Sequence, residues 1–408
     1  MLHCNLTISY KFIKKIFSLL IAVLPVLSSY YSGIPGFTVG DFCLVIFAVV
    51  SFFIQDFPND YLIKLDFLYL GIVIIILLSS FSMFLQLSTP ESSISVVDSY
   101  VRIVRYCFYL FIAIYVCRRL LNLDFLKKSI VYVAIVATVF LIVQVLAYRV
   151  FNYYLRGTAS FIPLYTEGYD RADRMVFGDM FRATSFFLEP AHYARYTVIA
   201  LGVILFGKSE VSDRDIAIAI LLSIGVILST SSQGYMLLLV VWLAFMFTRL
   251  SYIKSPTLAC LFLLIIVLSP VILYGVSRIP VVAQTIERSF GDMNKNGNAA
   301  QKARLGGIKY FFELPVLYQI IGVGFGNVPN KVWMSSLGYW LYGGGVITFC
   351  IYVIFMVYAI MQLRGINRIV FLFYCILFIT DDSYYSYMLI LFLSLSLFEE
   401  KNNGIEVV

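Results

Sequence analysis

Charge is what this sequence has least of. Only 13% of its 408 residues are Asp, Glu, Lys or Arg, against roughly 25% in soluble domains, so the chain cannot clothe itself in a hydrated surface and a soluble globular protein is excluded. Histidine is scarcer still. His3 and His192 are the only two, which rules out a histidine-based metal centre, and no HExxH pattern occurs. Of the cysteines, Cys43, Cys107, Cys117, Cys260, Cys350 and Cys375 lie within or beside apolar runs and Cys4 in the N-terminal tail. None occupies a long hydrophilic loop, so neither a disulfide nor a zinc site is expected. Internal repeats, low-complexity tracts and soluble domains are also missing.

What fills the chain is apolar: 61% of the residues are hydrophobic. Backbone inside a bilayer must satisfy its own hydrogen bonds, which leaves helices or a closed barrel. The runs here do not alternate in polarity and have about the length a helix needs to cross, so the expected fold is all-α, a polytopic helical membrane protein. Spans are predicted near residues 14–31, 41–54, 65–86, 100–117, 129–148, 190–207, 214–230, 233–249, 256–276, 337–361, 367–380 and 384–398, about twelve in all. The N-terminal "YKFIKKIFSLLIAVLPVLSSYYSG" has the basic start and apolar middle of a secretory signal; because so many spans follow, it reads as an uncleaved first span.

Orientation follows from the basic residues beside the spans. Lys11, Lys14 and Lys15 precede the first; Arg118, Arg119, Lys127 and Lys128, then Lys208 and Arg214, Arg249 and Lys254, and Arg364 and Arg368 fill connections of the same parity. Both termini are therefore expected in the cytoplasm. The net charge of +7 is largely this bias and gives no reason to invoke nucleic acid. Residues 1–408 read as one integral membrane domain with two long outer loops, 149–189 and 277–336. Both loops are rich in arginine and lysine, which raises the question of what the cations bind.

The end of the first loop, "RATSFFLEPAHYARY", puts two arginines, a glutamate and a histidine where a span begins. Pro190 suits the first helical position, and Glu189 then falls at the N-cap, where helix physics alone accepts a carboxylate. A helical register aligns Glu189, His192, Tyr193 and Tyr196 on one stripe. Arg195 lies on another side, and an arginine facing lipid at the membrane centre costs roughly 2.5–3.5 kcal/mol, so it should snorkel or face a polar cavity. Asp170, Asp173 and Asp179, and the pair Asp381 and Asp382, are acidic metal-ligand candidates, but the first group is interleaved with Arg171 and Arg174 and reads more simply as a charge-balanced loop. In the second loop an amphipathic helix is plausible from Ala300 to Leu314, with Ala303, Ile308, Phe311 and Phe312 toward the membrane and Pro315 ending it. The "GVGFG" run, Gly322 to Gly326, matches a phosphate loop in spelling alone; it is either a flexible turn whose N–H groups approach an anion or a simple re-entry turn. "LSTSSQGYM", residues 228–236, joins two spans with hydroxyls suited to capping the next helix.

Taken together, the "R-x-x-S-x-F-x-E-P-x-x-x-A" pattern from Arg182 to Ala194, the serine-rich turn, and a second long loop with Arg304 followed by "P-x-x-x-x-x-x-G-x-G-x-G" from Pro315 to Gly326 resemble the Wzy-type O-antigen polymerases. That family is similar in layout to the O-antigen ligases, and both belong to the membrane glycosyltransferases of C-type fold. The resemblance implies an enzyme of the bacterial inner membrane with its active site facing the periplasm. The growing glycan would leave undecaprenyl diphosphate for the non-reducing end of a new lipid-linked repeat unit, without metal or other cofactor and with a chain-length regulator protein as a possible partner. Negative charge develops on the leaving diphosphate, so Arg182, Arg195 and Arg304 are expected to grip it. Glu189 is expected to serve as general base, with His192 as its alternate or orienter. Tyr193, Tyr339 and Trp340 are candidates for stacking on sugar, interfacial anchoring being the plainer role, and Gly324 for close approach to substrate. Ligases typically carry a histidine in the second outer loop, and residues 277–336 have none, which favours polymerase over ligase. The competing class is a flippase or transporter of lipid-linked glycan, which would place its ionisable residues inside the bundle rather than in outer loops.

Overall fold

The computed structural model describes residues 2–34, 36–54, 61–63, 66–87, 96–166, 176–177, 180–208, 210–249, 308–324, 334–381, 387–396 and 398–400. They are mostly helical: α1 Leu2–Leu27, α2 Val39–Phe53, α3 Asp66–Leu87, α4 Val96–Phe111 continuing through a π-helical turn Ile112–Val116 into α5 Cys117–Leu120, α6 Leu123–Phe151, α7 Pro190–Phe206, α8 Asp213–Leu228, α9 Ser232–Arg249, α10 Val316–Ile321, α11 Ser336–Gln362, α12 Gly365–Thr380 and α13 Tyr387–Ser396. A helix occupies each expected segment except residues 256–276, which lie outside the described residues. The first helix starts at Leu2 rather than near residue 14, so its lysines extend the helix instead of preceding it. Among the described residues, strands form two antiparallel ribbons of two or three residues per strand, Tyr61–Ile63 with Phe398–Glu400 and Val176–Phe177 with Met180–Phe181.

Three helices, Tyr100–Leu120, Leu123–Phe151 and Ser336–Gln362, are long and apolar enough to cross a membrane. The middle one shows why lipid must surround it. One face, Ala134, Ala137, Thr138, Leu141 and Gln144, is buried against protein, while Tyr132, Val136, Val139, Val143, Leu146 and Val150 form an exposed stripe at helical spacing. A continuous apolar stripe on the outside is stable only against a non-aqueous surrounding.

The chain gathers into two compact units, Met1–Val49 with Asp124–Gly297, and Val50–Leu123 with Asn298–Val408. At the centre of the first stands α7, buried from Tyr193 to Phe206. Around it, the Tyr196 hydroxyl donates to the Ala22 carbonyl of α1 at 2.7 Å, the Tyr193 hydroxyl meets Thr138 of α6 at 2.7 Å, and the C-terminal turn of α7 packs Phe206 edge to face on Phe245 of α9. The chain enters α8 through a capping box, Ser212 and Asp215 exchanging side-chain and backbone bonds, with Lys208 paired to Asp215 at 2.8 Å.

The second unit has an aromatic core. Trp340 stacks on Tyr352, Tyr352 on Phe378, and the hydroxyls of Tyr352 and Tyr374 are 2.5 Å apart. Its long helix α11 is broken at Gly345, whose φ of 67° and ψ of 178° are not helical.

Candidate functional site

The stretch from Arg182 to Arg195 determines the site, and its entry into the bundle is deeper than the sequence suggests. Phe181 stacks on Tyr148, near the C-terminal end of α6, with ring centroids 4.5 Å apart. Ser185 then donates from its hydroxyl to the Ala137 carbonyl at 2.7 Å, and Phe186 stacks on Phe140. Ala137 lies about 21 Å from either end of α6, given 1.5 Å per helical residue. Residues 182–189 thus run non-helically alongside α6 to its middle, and α7 starts there. The first turn of α7 therefore sits beside the middle of α6.

Irregular backbone in such a place must find partners within the protein, and Gln144 supplies them. Its side chain, 1% exposed, accepts from the Ser185 N–H at 2.8 Å and donates to the Leu155 carbonyl at 2.9 Å. Ser185 itself has a left-handed φ of 55°, and its carbonyl is so close to Gly157 that a Cβ there could not be accommodated. The segment following α6 is fastened in turn to the end of α1, with the Ala159 N–H donating to the Tyr30 hydroxyl at 2.9 Å and the Tyr165 N–H to the Ser29 carbonyl at 2.9 Å. Gln144 and Thr138 were not among the expected site residues. Their signal is a polar side chain inside an otherwise apolar span, where an unpartnered amide or hydroxyl is expensive.

Glu189 has the extended backbone of an N-cap, φ −135° and ψ 149°, with Pro190 at the first helical position, yet its side chain makes no capping hydrogen bond. Capping therefore does not account for this carboxylate. It is half-buried, as are Ala191 and His192 one step along, whereas α7 is closed to solvent from Tyr193 onward. The first turn of α7 is thus the open part of a buried helix. Arg195 is 3% exposed. Its side chain runs back toward the N-terminus, as helical geometry favours, and its Nε donates to the Ala191 carbonyl at 3.2 Å. The guanidinium is thereby carried to the level of that first turn. Arg182 is half-buried at the top of the non-helical stretch.

Glu189 and His192 are half-buried at the opening turn of α7, and the Arg195 side chain reaches back to Ala191 in that turn. The structure does not give Tyr193 a substrate-facing role. That ring is fully buried, set edge to face against Phe187, and its hydroxyl is bonded to Thr138; it is a core side chain, because residue 193 points at α6 and α8 rather than at the opening. Trp340 is likewise enclosed, stacked on Tyr352. Tyr339 is half-buried in the first turn of α11. Arg304 lies outside the described residues, as do Asp170, Asp173 and Asp382.

The glycine run is a packing device. Of its residues, Gly322 to Gly324 are described: Gly322 donates to the Tyr318 carbonyl, Val323 to Tyr342 at 3.1 Å and Gly324 to Gly343 at 2.8 Å, so these three N–H groups are taken. A Cβ on Gly324 would meet Met83, and one on Gly322 would run into Gly343 and Gly344. Of the amphipathic helix expected before Pro315, residues 308–312 are described and helical. Phe311 is buried at 5% exposure and Phe312 exposed at 69%, so the two do not share one outward face. Among the described residues, no group of three or more His, Cys, Asp or Glu side chains is placed to hold a metal ion.

No family model matches the chain, and no curated protein matches it. The functional reading rests on the residues and their geometry.

Proposed function

We propose that the chain is a membrane glycosyltransferase of the O-antigen polymerase kind, set in a bundle of about twelve spans with both termini cytoplasmic and its reaction centre reached from the periplasm of the bacterial inner membrane. The observation that carries this reading is the opening turn of α7, where an uncapped carboxylate, an imidazole and a buried guanidinium stand where the rest of the helix is closed. In the proposed reaction the acceptor hydroxyl oxygen of a lipid-linked repeat unit attacks the anomeric carbon of the growing glycan. Glu189 takes the hydroxyl proton, and the glycosyl–phosphate bond breaks with its electron pair leaving on undecaprenyl diphosphate. Arg182 and Arg195 offset the charge that develops there. A carboxylate without a hydrogen-bonding role of its own suits a base, and guanidinium groups suit a diphosphate. Arg304 is proposed as a further diphosphate ligand. In the ligase alternative the same donor would pass its glycan to an outer-core acceptor.

One observation favours a second reading. The site lies halfway along α6, and a broken helix with ionisable residues at that depth is also how transporters are built. Purified protein given an undecaprenyl diphosphate-linked repeat unit in detergent separates the two. A ladder of multiply repeated products is expected; substrate left at one repeat by an active, folded preparation would favour transport and overturn the polymerase reading.

A further inference from the structure

Residues 152–165 return along the bundle instead of leaving it. Gln144 donates to the Leu155 carbonyl, and Gln144 lies about 10 Å short of the end of α6, given 1.5 Å per helical residue. Gly157 packs on the Ser185 carbonyl at the same depth or deeper, because Ser185 is held between Gln144 and Ala137. The chain is then tied to the end of α1. Besides the bonds to Tyr30 and Ser29 described above, the Tyr31 N–H donates to the Pro163 carbonyl at 2.9 Å, and Tyr31 also forms a bridge with Thr38. Two short turns thus flank residues 29–31. In one the Ile162 N–H donates to the Ala159 carbonyl at 3.4 Å; in the other the Phe37 N–H donates to the Ile34 carbonyl at 3.0 Å.

Turns pinned at a protein surface ordinarily present polar residues to water. These present apolar ones: Phe161 is 85% exposed, Ile34 48% and Phe37 43%. Their depth decides what lies outside them. The 29 residues of α6 measure about 44 Å, the thickness of a bilayer with its headgroups, so the last turn of α6 stands among the headgroups. The four residues from Gly157 to Phe161 reach at most about 14 Å, which keeps Phe161 below the end of α6 or within about 4 Å beyond it. Beside this level α6 turns Leu146 and Val150 outward, the end of its exposed apolar stripe. Tyr153 and Tyr165 are exposed as well, with the apolar ring and polar tip that suit a membrane boundary, and Arg149 and Arg156 are exposed cations.

We propose that these two turns are a lipid-docking surface, with phospholipid as the partner, and that they insert their apolar tips into the headgroup–acyl boundary of the leaflet at the C-terminal end of α6. Ile34, Phe37 and Phe161 enter the acyl layer, and Arg149 and Arg156 meet the phosphate groups. The occupant is lipid rather than another protein because the tips continue the lipid-facing stripe of α6 and lie at its depth. The docked segment also carries Leu155 and Gly157, which meet the Gln144 and Ser185 pair, so the leaflet helps to hold the stretch between Arg182 and Glu189 in place. Such docking does not require glycan transfer and would serve a transporter equally.

Tryptophan placed at the tips reads the docking. Phe161→Trp and, as a second probe in the other turn, Phe37→Trp are reconstituted as the full chain in phosphatidylcholine nanodiscs, and the emission of wild type, from its three tryptophans, is subtracted. The added emission is expected to fall roughly twofold or more with lipids brominated next to the headgroup, to change little with lipids brominated at the chain end, and to be shielded from aqueous iodide, as for a side chain about 5–10 Å into the boundary. Melting temperatures should equal that of wild type, because both positions are exposed. Free quenching by iodide with no effect of either bromolipid overturns the proposal; it is the outcome expected if a protein missing from the purified sample covers the tips. Stronger quenching by deep bromines than by shallow ones overturns it too, since the tips would then lie in the bilayer interior. A marked loss of stability in both variants also overturns it, because the tips would then be packed against protein. None of these readings involves catalysis, so failure here leaves the polymerase reading untouched.

Discussion

Two breaks in regular helix, one in each unit, do the same structural job with opposite chemistry. Ahead of α7 the non-helical residues 182–189 are held by side chains: Gln144 bonds the Ser185 N–H, and the Ser185 hydroxyl bonds Ala137. At Gly345 the break in α11 is held by backbone alone, with Val323 and Gly324 donating to the carbonyls of Tyr342 and Gly343. Inside an apolar interior both must satisfy every main-chain group. The glycine break does so by close approach of backbone to backbone, whereas the polar break leaves Glu189 uncapped and draws the Arg195 side chain back to Ala191.

The sharpest way to break that contrast is Glu189→Gln. Loss of a general base typically slows a reaction by roughly 10²–10⁴-fold, so polymer should all but vanish in cells that contain the variant at normal abundance. Full-length polymer would show that Glu189 is not the base and that the polar break has no more chemistry than the glycine one. Gly345→Ala should act in the other way, on folding. A backbone at φ 67° and ψ 178° is open almost only to glycine and costs a residue with a Cβ about 1–3 kcal/mol, and here that Cβ would also press on Ile320 and Gly322. A total loss of about 2–4 kcal/mol is expected, seen as a lower melting temperature and reduced abundance, with activity per folded molecule unchanged.

How far the sequence could be read depends on what each residue type encodes. Apolar runs located the described helices because length and hydropathy are local properties. Pro190 located the start of α7 to the residue, through its own missing N–H. The depth of that start was not legible, because it is fixed by Gln144 and Ser185 meeting across 41 positions of sequence, and no local pattern records such a pairing. Tyr193 was misread for a related reason. The stripe that aligns it with Glu189 and His192 is correct as geometry, but whether a phenol faces a ligand or a neighbour depends on Thr138 and Gly225, both far along the chain. The glycine run left an anion-approaching turn and a re-entry turn open, because the carbonyls that take the N–H groups of Val323 and Gly324 belong to Tyr342 and Gly343, about twenty positions later.

Gln144→Leu sharpens the comparison from the structural side of the polar break. The substitution leaves the Ser185 N–H and the Leu155 carbonyl without their buried partner, a loss of about 1–3 kcal/mol for each unsatisfied group. Because Ser185 lies between Arg182 and Glu189, the variant should lose polymer-forming activity even at temperatures well below its melting point. Unchanged activity in the folded fraction would mean that the re-entrant stretch does not position the site.

The smallest expected effect distinguishes core from site within one helix. Tyr193→Phe removes a hydroxyl bonded to Thr138 and leaves the ring in its packing against Phe187. Thr138 keeps a second bond, to the Ala134 carbonyl at 2.8 Å, so neither partner is left wholly unsatisfied and the loss should be about 1 kcal/mol, typical of a single neutral hydrogen bond. A change in melting temperature of a few degrees with unaltered polymer length and yield is therefore expected. If activity fell steeply while stability held, the phenol would belong to the reaction after all, and the boundary drawn at the first turn of α7, open before Tyr193 and closed after it, would have to move one turn deeper.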